Sequence, residues 1–377
     1  MGGLSGHMMH IHDSDMHKDH IKNIISGIIF DDIKLTEKVD GFNIHFFWDK
    51  DTDELAFARN QEDLKVGGIH YYEIDERFAH NPTAIKIFKE AYEIISNSDT
   101  RPLRKLIRCD KSNNNIKTVN AECVTEGITN VLYYDHPMVV IHNIWNWGIV
   151  NNGNYTSTYI EDIPDYEDSH GLTTLKPLRL NHIDHRENMY HRYANWVDEI
   201  FGDYETLNDY YYNRFIQYLG RNNYTEFPEV SIQLLYSRLM KNNKVPLRKI
   251  RTSIKKELGL NESWVYRDDV DRLLGSDVRR WCKKEMEELI LRFGCDILRS
   301  VRNQLNNDNN YESKQNKIDF EKLDEYNRWR MRICGYELFN LEGIVFQYNG
   351  QTFKLTGSFA PYNQIIGKQR TYNKQIS

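Results

Sequence analysis

One short string of the chain has residue types and spacing that could carry chemistry: Glu37-Lys38-Val39-Asp40-Gly41-Phe42-Asn43, which lies just before a predicted strand. A lysine at the edge of a strand can act as a nucleophile, and a nearby glycine lets a phosphate approach the backbone. Lysine attacks only when neutral, so its ordinary pKa of about 10.4 must be lowered, or its proton must leave during the reaction. Lys38 is therefore a candidate nucleophile, although Lys-x-Asp-Gly also occurs as an ordinary turn.

Five further strings follow in chain order, each on or beside a predicted strand. They are Phe57–Asn60, Asn120–Val124, Val139–Ile144, Leu341–Phe346 and Phe353–Gly357. Taken singly, the carboxylates and cations in them could be ordinary strand-end or surface residues. Taken as an ordered set, they indicate one site.

This ordered set resembles the covalent nucleotidyltransferase superfamily of DNA ligases, RNA ligases and messenger-RNA capping enzymes, over about residues 30–150 and 335–360. DNA ligases usually carry arginine at the position of Asn43, so the chain is more similar to RNA-repair ligases like the second bacteriophage T4 enzyme. The strings GGLSGHM and KLTGSFAP also look like those of ligase-like proteins from large tailed phages.

The resemblance implies an ATP-dependent polynucleotide ligase that acts on nicked or broken RNA, or less favourably DNA. Lys38 would attack the α-phosphate of ATP, and the AMP would pass to a 5′-phosphate before a 3′-hydroxyl displaces it. The implied catalytic residues are Lys38, Glu342 and Lys354, with Glu342 also a ligand of Mg²⁺ or Mn²⁺. The implied ATP-binding residues are Thr36, Glu37, Lys38, Arg59, Glu122, His142, Glu342 and Lys354.

Three departures from the family pattern leave alternatives open. Thr356 stands where a second lysine is usual, the strand that should stack an aromatic on adenine offers only His142, and the chain ends too soon after Lys354 for a carboxyl-terminal OB domain. One alternative is a catalytically degenerate phage protein that binds nucleic acid or has a structural role. Another is a nucleotidyltransferase that modifies a protein or a small molecule.

The elements that must position these residues are strands around a helical segment. We predict a hairpin from 42–48 and 54–59, a helix over 83–107, strands at 118–125 and 138–145, and helices from 187 to 305. Asn349-Gly350 predicts a second hairpin. The expected fold is α+β, of the ligase type with ATP-grasp-like antiparallel sheets. A nucleotidyltransferase domain at 1–150 and 334–377 would be split by a mainly helical insertion at 151–333. Residues 306–317, within this insertion, would form a polar linker.

Charge and hydropathy restrict the partners. The net charge is −6, so a polyanion must meet a local basic patch, and residues 241–256 contain seven basic and no acidic residues. The expected nucleic-acid contacts are Arg59, Lys244, Arg248, Lys249, Arg251 and Lys255, with a solvated helix face as the alternative. No apolar run reaches the ~20 residues that span a membrane, which predicts a cytoplasmic protein, in the host cytoplasm if it is viral.

The cysteines and the amino-terminal histidines bear on redox state and on metal binding. The five cysteines are widely spaced and contain no Cys-x-x-Cys, which predicts free thiols in a reducing compartment. Near the amino terminus, His7, His10, His12 and His17 could converge with Asp13 on a metal. Because cysteines and a regular helical spacing are missing there, the pattern favours no metal site.

Overall fold

The chain is a mixed α+β protein, as the sequence predicts. The structure is a computed structural model, and it describes residues 4, 8–49, 51–107, 115–125, 136–150, 154–161, 163, 169–180, 185–224, 226–241, 246–259, 267–304, 323–335, 338 and 341–357. The predicted linker at 306–317, Lys244, Cys109 and His7 lie outside these residues.

The strands form two sheets. They are β1 (Leu35–Glu37), β2 (Phe42–Trp48), β3 (Leu55–Ala58), β4 (Ile69–His70), β5 (Asn115–Val124), β6 (Met138–Val150), β7 (Asn154–Glu161), β8 (Leu172–Thr174), β9 (Ile344–Tyr348) and β10 (Gln351–Leu355). The larger sheet has the order β4-β3-β2-β5-β6-β7, with β8 pairing in parallel beside β6, and the smaller has the order β1-β9-β10.

The helices are α1 (Lys18–Ile29), α2 (Gln61–Lys65), α3 (Ile74–Arg77), α4 (Pro82–Asn97), α5 (Arg101–Ile107), α6 (Arg186–Phe201), α7 (Leu207–Arg221), α8 (Glu229–Lys241), α9 (Leu247–Glu257), α10 (Arg267–Leu273), α11 (Ser276–Val301) and α12 (Glu325–Cys334). Short 3₁₀ turns cover Ile11–Asp13, Tyr71–Glu73 and Arg302–Gln304. In the part of the chain that the structure describes, no helix is both long enough and apolar enough to cross a membrane.

One face of the larger sheet packs on α4. Every second residue of β2, and of β5 from Val119 onward, is apolar, and α4 repeats apolar residues at helical spacing, so the two surfaces bury each other. The shared core includes Ile44, Phe46, Phe57, Val119, Ala121, Ile87, Phe88 and Ala91. The predicted helix over 83–107 is two helices, because Pro102 lacks an N–H and is tolerated only in the first turn of the second one.

Both predicted hairpins are confirmed. β2 pairs antiparallel with β3, with Trp48 opposite Leu55. β9 pairs antiparallel with β10 across Asn349 and Gly350, whose φ angles are 49° and 73°. Two consecutive left-handed residues fit the turn whose twist matches that of the strands, which explains the Asn-Gly pair.

The chain divides into two units. One contains residues 1–9, 31–183 and 294–377, with both sheets, and the other contains residues 10–30 and 184–293 and is helical. The bounds of the helical unit therefore differ from the 151–333 predicted for the insertion. Residues 154–161 and 172–174 form strands that pair with β6, so they belong to the unit that contains the two sheets.

The helical unit also includes an amino-terminal helix that sequence reasoning missed. α1 buries Ile21, Ile24 and Ile25 along one face, and this apolar spacing was the available signal. Lys283 on α11 donates a hydrogen bond of 2.5 Å to Asp13, which ties the segment before α1 to this unit. The histidines there form no metal cluster among the described residues.

The prediction of free thiols is wrong for one pair. Cys295 and Cys334, 39 residues apart, form a disulfide with a Cα–Cα distance of 5.4 Å. The spacing gave no signal, because the pair is created by the packing of α12 beside the end of α11. Cys123 and Cys282 are free and buried.

Candidate active site

Lys38 and Glu342 form the centre of the candidate site. Lys38 follows β1, and its backbone N–H donates to the carbonyl of Gly343 at 2.9 Å, so the pairing with the segment before β9 continues past the strand. The Nζ atom of Lys38 donates to Oε1 of Glu342. Only 14% of the lysine side chain and 11% of the glutamate side chain are exposed. The structure thus brings together two of the three predicted catalytic residues in a protected ion pair.

Gly343 determines where Glu342 can lie. Its φ is +146°, and a Cβ atom there would be 2.3 Å from the carbonyl oxygen of Leu355 on β10. A larger residue would push β10 away or twist the backbone out of this conformation. The Glu-Gly pair therefore allows the closest approach of β10 to the turn that carries Glu342.

Gly41 has a similar role on the opposite side of the site. A Cβ atom at this position would be 3.0 Å from the carbonyl oxygen of Cys123 and 3.2 Å from the Cβ atom of Glu122. The sequence predicted that this glycine lets a phosphate approach the backbone. In the structure it lets the chain after Lys38 pass close to β5, beside Glu122.

Glu122 lies on β5 and interacts with His142 on β6. The β5–β6 register shifts between Asn120 and Ala121, so that Asn120 pairs with Asn143 while Ala121 pairs with Ile141. His142 is therefore the extra residue of a β-bulge, which re-aims its side chain. Its Nε2 atom lies 3.4 Å from Oε2 of Glu122. This distance is at the limit of a hydrogen bond, and both side chains are almost fully buried.

Carboxylates surround the lysine and set its protonation. Burial acts to lower the pKa of Lys38, but Glu342, Glu122 and Asp40 together hold it above its ordinary value. Burial also raises the pKa of Glu342 to about 8, and although Lys38 opposes this, Glu122 and Asp40 add to it. The site therefore holds a lysine ammonium against a carboxyl group that titrates near neutral pH.

Glu122 stays ionised in the same environment. Burial acts to raise its pKa, but the hydrogen bond from His142 and the charge of Lys38 bring the pKa below its ordinary value. The two glutamates near Lys38 therefore differ in function: one is a fixed anion, whereas the other can exchange a proton.

One oxygen of the site fits a divalent cation. Oε2 of Glu342 is buried and has no hydrogen-bond partner among the described residues. Mg²⁺ commonly binds proteins through one or two carboxylates and completes its shell with waters and substrate phosphates. The described residues contain no group of three or more potential metal ligands, so a bound Mg²⁺ would need oxygens from the substrate.

Thr36, Glu37 and Lys354 lie on the smaller sheet. Val345 pairs with Thr36 on one side and with Lys354 on the other, so these side chains share the face to which Lys38 belongs by alternation. Glu37 pairs with Ile344 and lies on the opposite, buried face. In an antiparallel pair, the backbone groups of successive residues point alternately toward and away from the partner strand. Because the N–H of Lys38 donates to Gly343, the backbone groups of Glu37 point away from β9. Lys354 thus lies on the same face of the smaller sheet as Lys38, and the Glu37 side chain lies on the other face.

Thr356, where the resembled ligases carry a second lysine, is contacted by an arginine that sequence reasoning missed. Nη2 of Arg330 on α12 donates to the hydroxyl of Thr356 at 3.1 Å and to the carbonyl of Gly357 at 3.4 Å. Arg330 is only 8% exposed. No sequence signal points to this arginine, because it lies 26 positions before Thr356.

Arg59 packs on an aromatic ring at the start of β2. Its guanidinium group is 4.5 Å from the centre of the Phe42 ring, and Phe42 packs against the core on α4. The charges that act on it are those of Asp63 and Arg77, and burial lowers its pKa. Arg59 is not among the charged groups that shift the pKa values of Lys38 and Glu342, and its role in ATP or polynucleotide binding stays a prediction.

The strand predicted to contact adenine divides its residues between two faces. Val139 and Ile141 point into the core with α4. Val140 lies on the other face, where it packs with Val39 and Val124. Of the predicted stacking candidates, only His142 faces the Glu122 side.

Two buried polar chains extend along the same face of the larger sheet, and sequence reasoning missed both. In the first, Asn43 donates to Asn120 at 2.8 Å, and Asn120 donates to Asn143 at 3.2 Å. In the second, Trp147 donates to the Thr118 hydroxyl at 2.9 Å, and that oxygen lies 2.9 Å from Nδ1 of His45. The alternation of these polar residues with apolar ones was the signal.

Burial lowers the pKa of His45 to about 3, so the ring is neutral. The Thr118 hydroxyl oxygen accepts from Trp147 and shares a second hydrogen bond with Nδ1 of this neutral ring, whose other nitrogen is Nε2. That Nε2 atom has no partner among the described residues, and neither does Oδ1 of Asn43.

The predicted nucleic-acid contacts other than Arg59 fall in the helical unit. Arg248, Lys249, Arg251 and Lys255 all lie on α9, whereas Lys244 lies outside the described residues. They are described further below.

Comparison of the chain with known protein families, and separately with curated proteins, gives no match.

Proposed function

We propose that this protein is an ATP-dependent polynucleotide ligase that acts through a covalent lysyl-AMP intermediate, with RNA the preferred substrate. ATP and Mg²⁺ are its proposed ligands, Lys38 is its proposed nucleophile, and the cytoplasm is its proposed location. The observation that carries the proposal is the ion pair between Lys38 and Glu342, which is enclosed by Glu122 and Asp40.

The carboxyl group of Glu342 can solve the problem of a protonated nucleophile. With Glu342 ionised, Nζ of Lys38 transfers a proton to Oε1 through their hydrogen bond. The free electron pair of Nζ then forms a bond to the α-phosphorus of ATP, and the bond from that phosphorus to the pyrophosphate oxygen breaks. The proton stays on Glu342, and because the pKa of this carboxyl group is about 8, the ionised form that can accept the proton increases as the pH rises toward 8.

Other residues have supporting roles in this proposal. Lys354, on the same sheet face as Lys38, would stabilise the charge that develops on the α-phosphate oxygens. Glu122 is an anion held by His142, and it can accept hydrogen bonds from ribose hydroxyls. Mg²⁺ carried by the ATP phosphates would supply further positive charge there, and Oε2 of Glu342 would bind it only while this carboxyl group is ionised, before Oε1 takes the proton.

A second candidate function is supported by the same ion pair. The pKa of Lys38 is raised rather than lowered, so the lysine is held as an ammonium ion. A protein that kept this arrangement for stability alone would bind nucleic acid without chemistry. The two candidates differ in one result, the formation of a covalent protein–AMP bond.

The test is incubation with α-labelled ATP and Mg²⁺, followed by a denaturing gel and then a chase. We expect a labelled protein band whose label moves to the 5′-phosphate of nicked RNA, followed by sealing of the nick. A parallel chase with nicked DNA compares the two polynucleotides. A labelled band that is discharged by neither polynucleotide would support transfer to a protein or a small molecule instead.

A further inference from the structure

α9 combines a buried apolar side with a cationic side. Ile250 and Ile254 are 0% and 1% exposed, and Ser253 lies 3.2 Å from Ser231 of α8, which fixes the orientation of the helix. At 3.6 residues per turn, positions 248, 252 and 255 lie opposite the two isoleucines. The cations Arg248, Lys249, Lys255 and Lys256 therefore surround Thr252 on the side away from the core.

These four cations have no ion-pair partner in the described part of the chain. Arg251, at the border of the cationic side, pairs with Asp271 at 2.8 Å. Arg248, Lys249, Lys255 and Lys256 make no side-chain ion pair with any residue that the structure describes. Four adjacent like charges repel one another, so they lower stability unless an external anion binds.

We propose that this face of α9, formed by Arg248, Lys249, Lys255 and Lys256, binds the phosphate backbone of a polynucleotide. The choice of polynucleotide rests on the proposed ligase function, whereas the existence of the anion surface does not. We expect this surface to bind without sequence specificity, since lysine and arginine contacts to phosphates position the polynucleotide but do not distinguish its bases.

The chemistry of the face argues against two other polyanions. A helix that inserts into a membrane surface needs an exposed apolar side, but the apolar side of α9 is buried. Protein interfaces are usually organised around buried aromatic and arginine anchors with few lysines, whereas the exposed face of α9 has three lysines, one arginine and Thr252 and no aromatic side chain. A phosphate backbone needs only the charges, whose two pairs are separated by about 10 Å along the helix axis.

Salt dependence of binding gives the sharpest test. The full chain is titrated onto a fluorescent single-stranded RNA at several salt concentrations, without ATP. The test variant replaces all four cations with glutamine: Arg248→Gln, Lys249→Gln, Lys255→Gln and Lys256→Gln. Each lost phosphate contact should reduce the slope of log K against log salt by about 0.7 for a single strand. We expect a slope shallower by about 3 and an affinity lower by about 10-fold or more at low salt.

The control changes the net charge equally at four other exposed cations, none of which is on α9: Lys34→Gln, Lys105→Gln, Lys284→Gln and Arg332→Gln. We expect the salt slope of this control to differ from that of the wild type by less than the about 0.7 that corresponds to one phosphate contact. Equal slopes for the test variant and the wild type would overturn the proposal. Circular dichroism tests whether both variants are folded. If the fourfold variant does not fold, a single Lys256→Gln variant replaces it, and its salt slope should be shallower by about 0.7.

Two further probes address the competing partners. Vesicles with anionic headgroups and an acidic peptide replace the RNA, and preferred binding of either through α9 would overturn the assignment to a polynucleotide. The result is also separate from the ligase proposal. RNA binding through α9 without ATP labelling would contradict only the proposed function, and labelling without any dependence of RNA binding on α9 would contradict only this inference.

Discussion

Lys38 and Glu342 are 304 residues apart in the sequence, yet their side chains share a hydrogen bond in a site from which most solvent is excluded. The pairing of Lys38 with Gly343 through the backbone brings them together. A lysine amine and a carboxyl group that can exchange a proton with it are therefore adjacent in the folded protein.

Stability should depend on pH through Glu342. Its pKa is about 8 in the folded state and close to 4.5 when unfolded, so the folded state binds more protons between these values. Its contribution is complete below about pH 4.5 and is lost as pH rises through about 8. Glu342→Gln should therefore lose less stability than the wild type between pH 5 and 8, by about 1 to 4 kcal/mol in the free energy of unfolding. Denaturant titrations measure it, with the exposed Glu76→Gln as the control, and parallel curves would refute the assigned shift.

Gly343→Ala should disturb the site. A Cβ atom would clash with the Leu355 carbonyl, and the φ of +146° is strained for alanine. We expect a loss of more than about 2 kcal/mol in the free energy of unfolding and a marked loss of ATP labelling. Gly220→Ala is the matched control, since Gly220 lies within α7 with no neighbouring atom in reach of a new Cβ, and it should be neutral or stabilising. A Gly343→Ala variant as stable as the wild type would contradict the close packing of β10.

Thr118→Val should be costly although it keeps the shape of the side chain. The hydroxyl links Trp147 and His45 in a fully buried position, so its removal leaves two polar groups unsatisfied. The expected cost is roughly 2 to 6 kcal/mol, since each unsatisfied group costs about 1 to 3 kcal/mol. Chemical denaturation measures it, with the exposed Thr252→Val for comparison. A cost below that of Thr252→Val would mean that the hydroxyl does not bridge the two rings.

The disulfide between Cys295 and Cys334 should appear as a linked peptide in mass spectra of a non-reduced digest. Closing a loop of 39 residues stabilises by about 4 kcal/mol in the chain-entropy model. We expect the Cys295→Ser, Cys334→Ser double variant to lose about this amount under oxidising conditions and nothing relative to the wild type in reductant. If both cysteines are alkylated in the non-reduced wild type, the pairing is wrong in solution.

Local patterns predicted the strands that carry the site. The alternation in β2 and β5 and the Asn-Gly turn before β10 specify pairing between neighbours in the sequence, and these elements were predicted correctly. Lys38, Glu122 and Glu342 were selected from short strings, and the structure places them within electrostatic reach of one another. Whether they catalyse ligation stays a prediction.

Contacts between distant segments could not be predicted. Arg330 reaches Thr356 only because α12 packs beside the end of β10, and Arg59 packs on the Phe42 ring. The His142 bulge depends on a register shift in the β5–β6 pair that no local pattern encodes. Such relationships depend on packing between elements, which the order of residues along one strand does not determine.

The most direct test of the account is covalent labelling at Lys38. The wild type, Lys38→Ala and the exposed Lys105→Ala are incubated with α-labelled ATP and Mg²⁺, and the folded state of each is checked by circular dichroism. We predict one AMP per chain on the wild type and on Lys105→Ala, mapped to Lys38 by mass spectrometry, and none on folded Lys38→Ala. An unlabelled wild type, or a labelled Lys38→Ala variant, would contradict the assignment of Lys38 as the nucleophile.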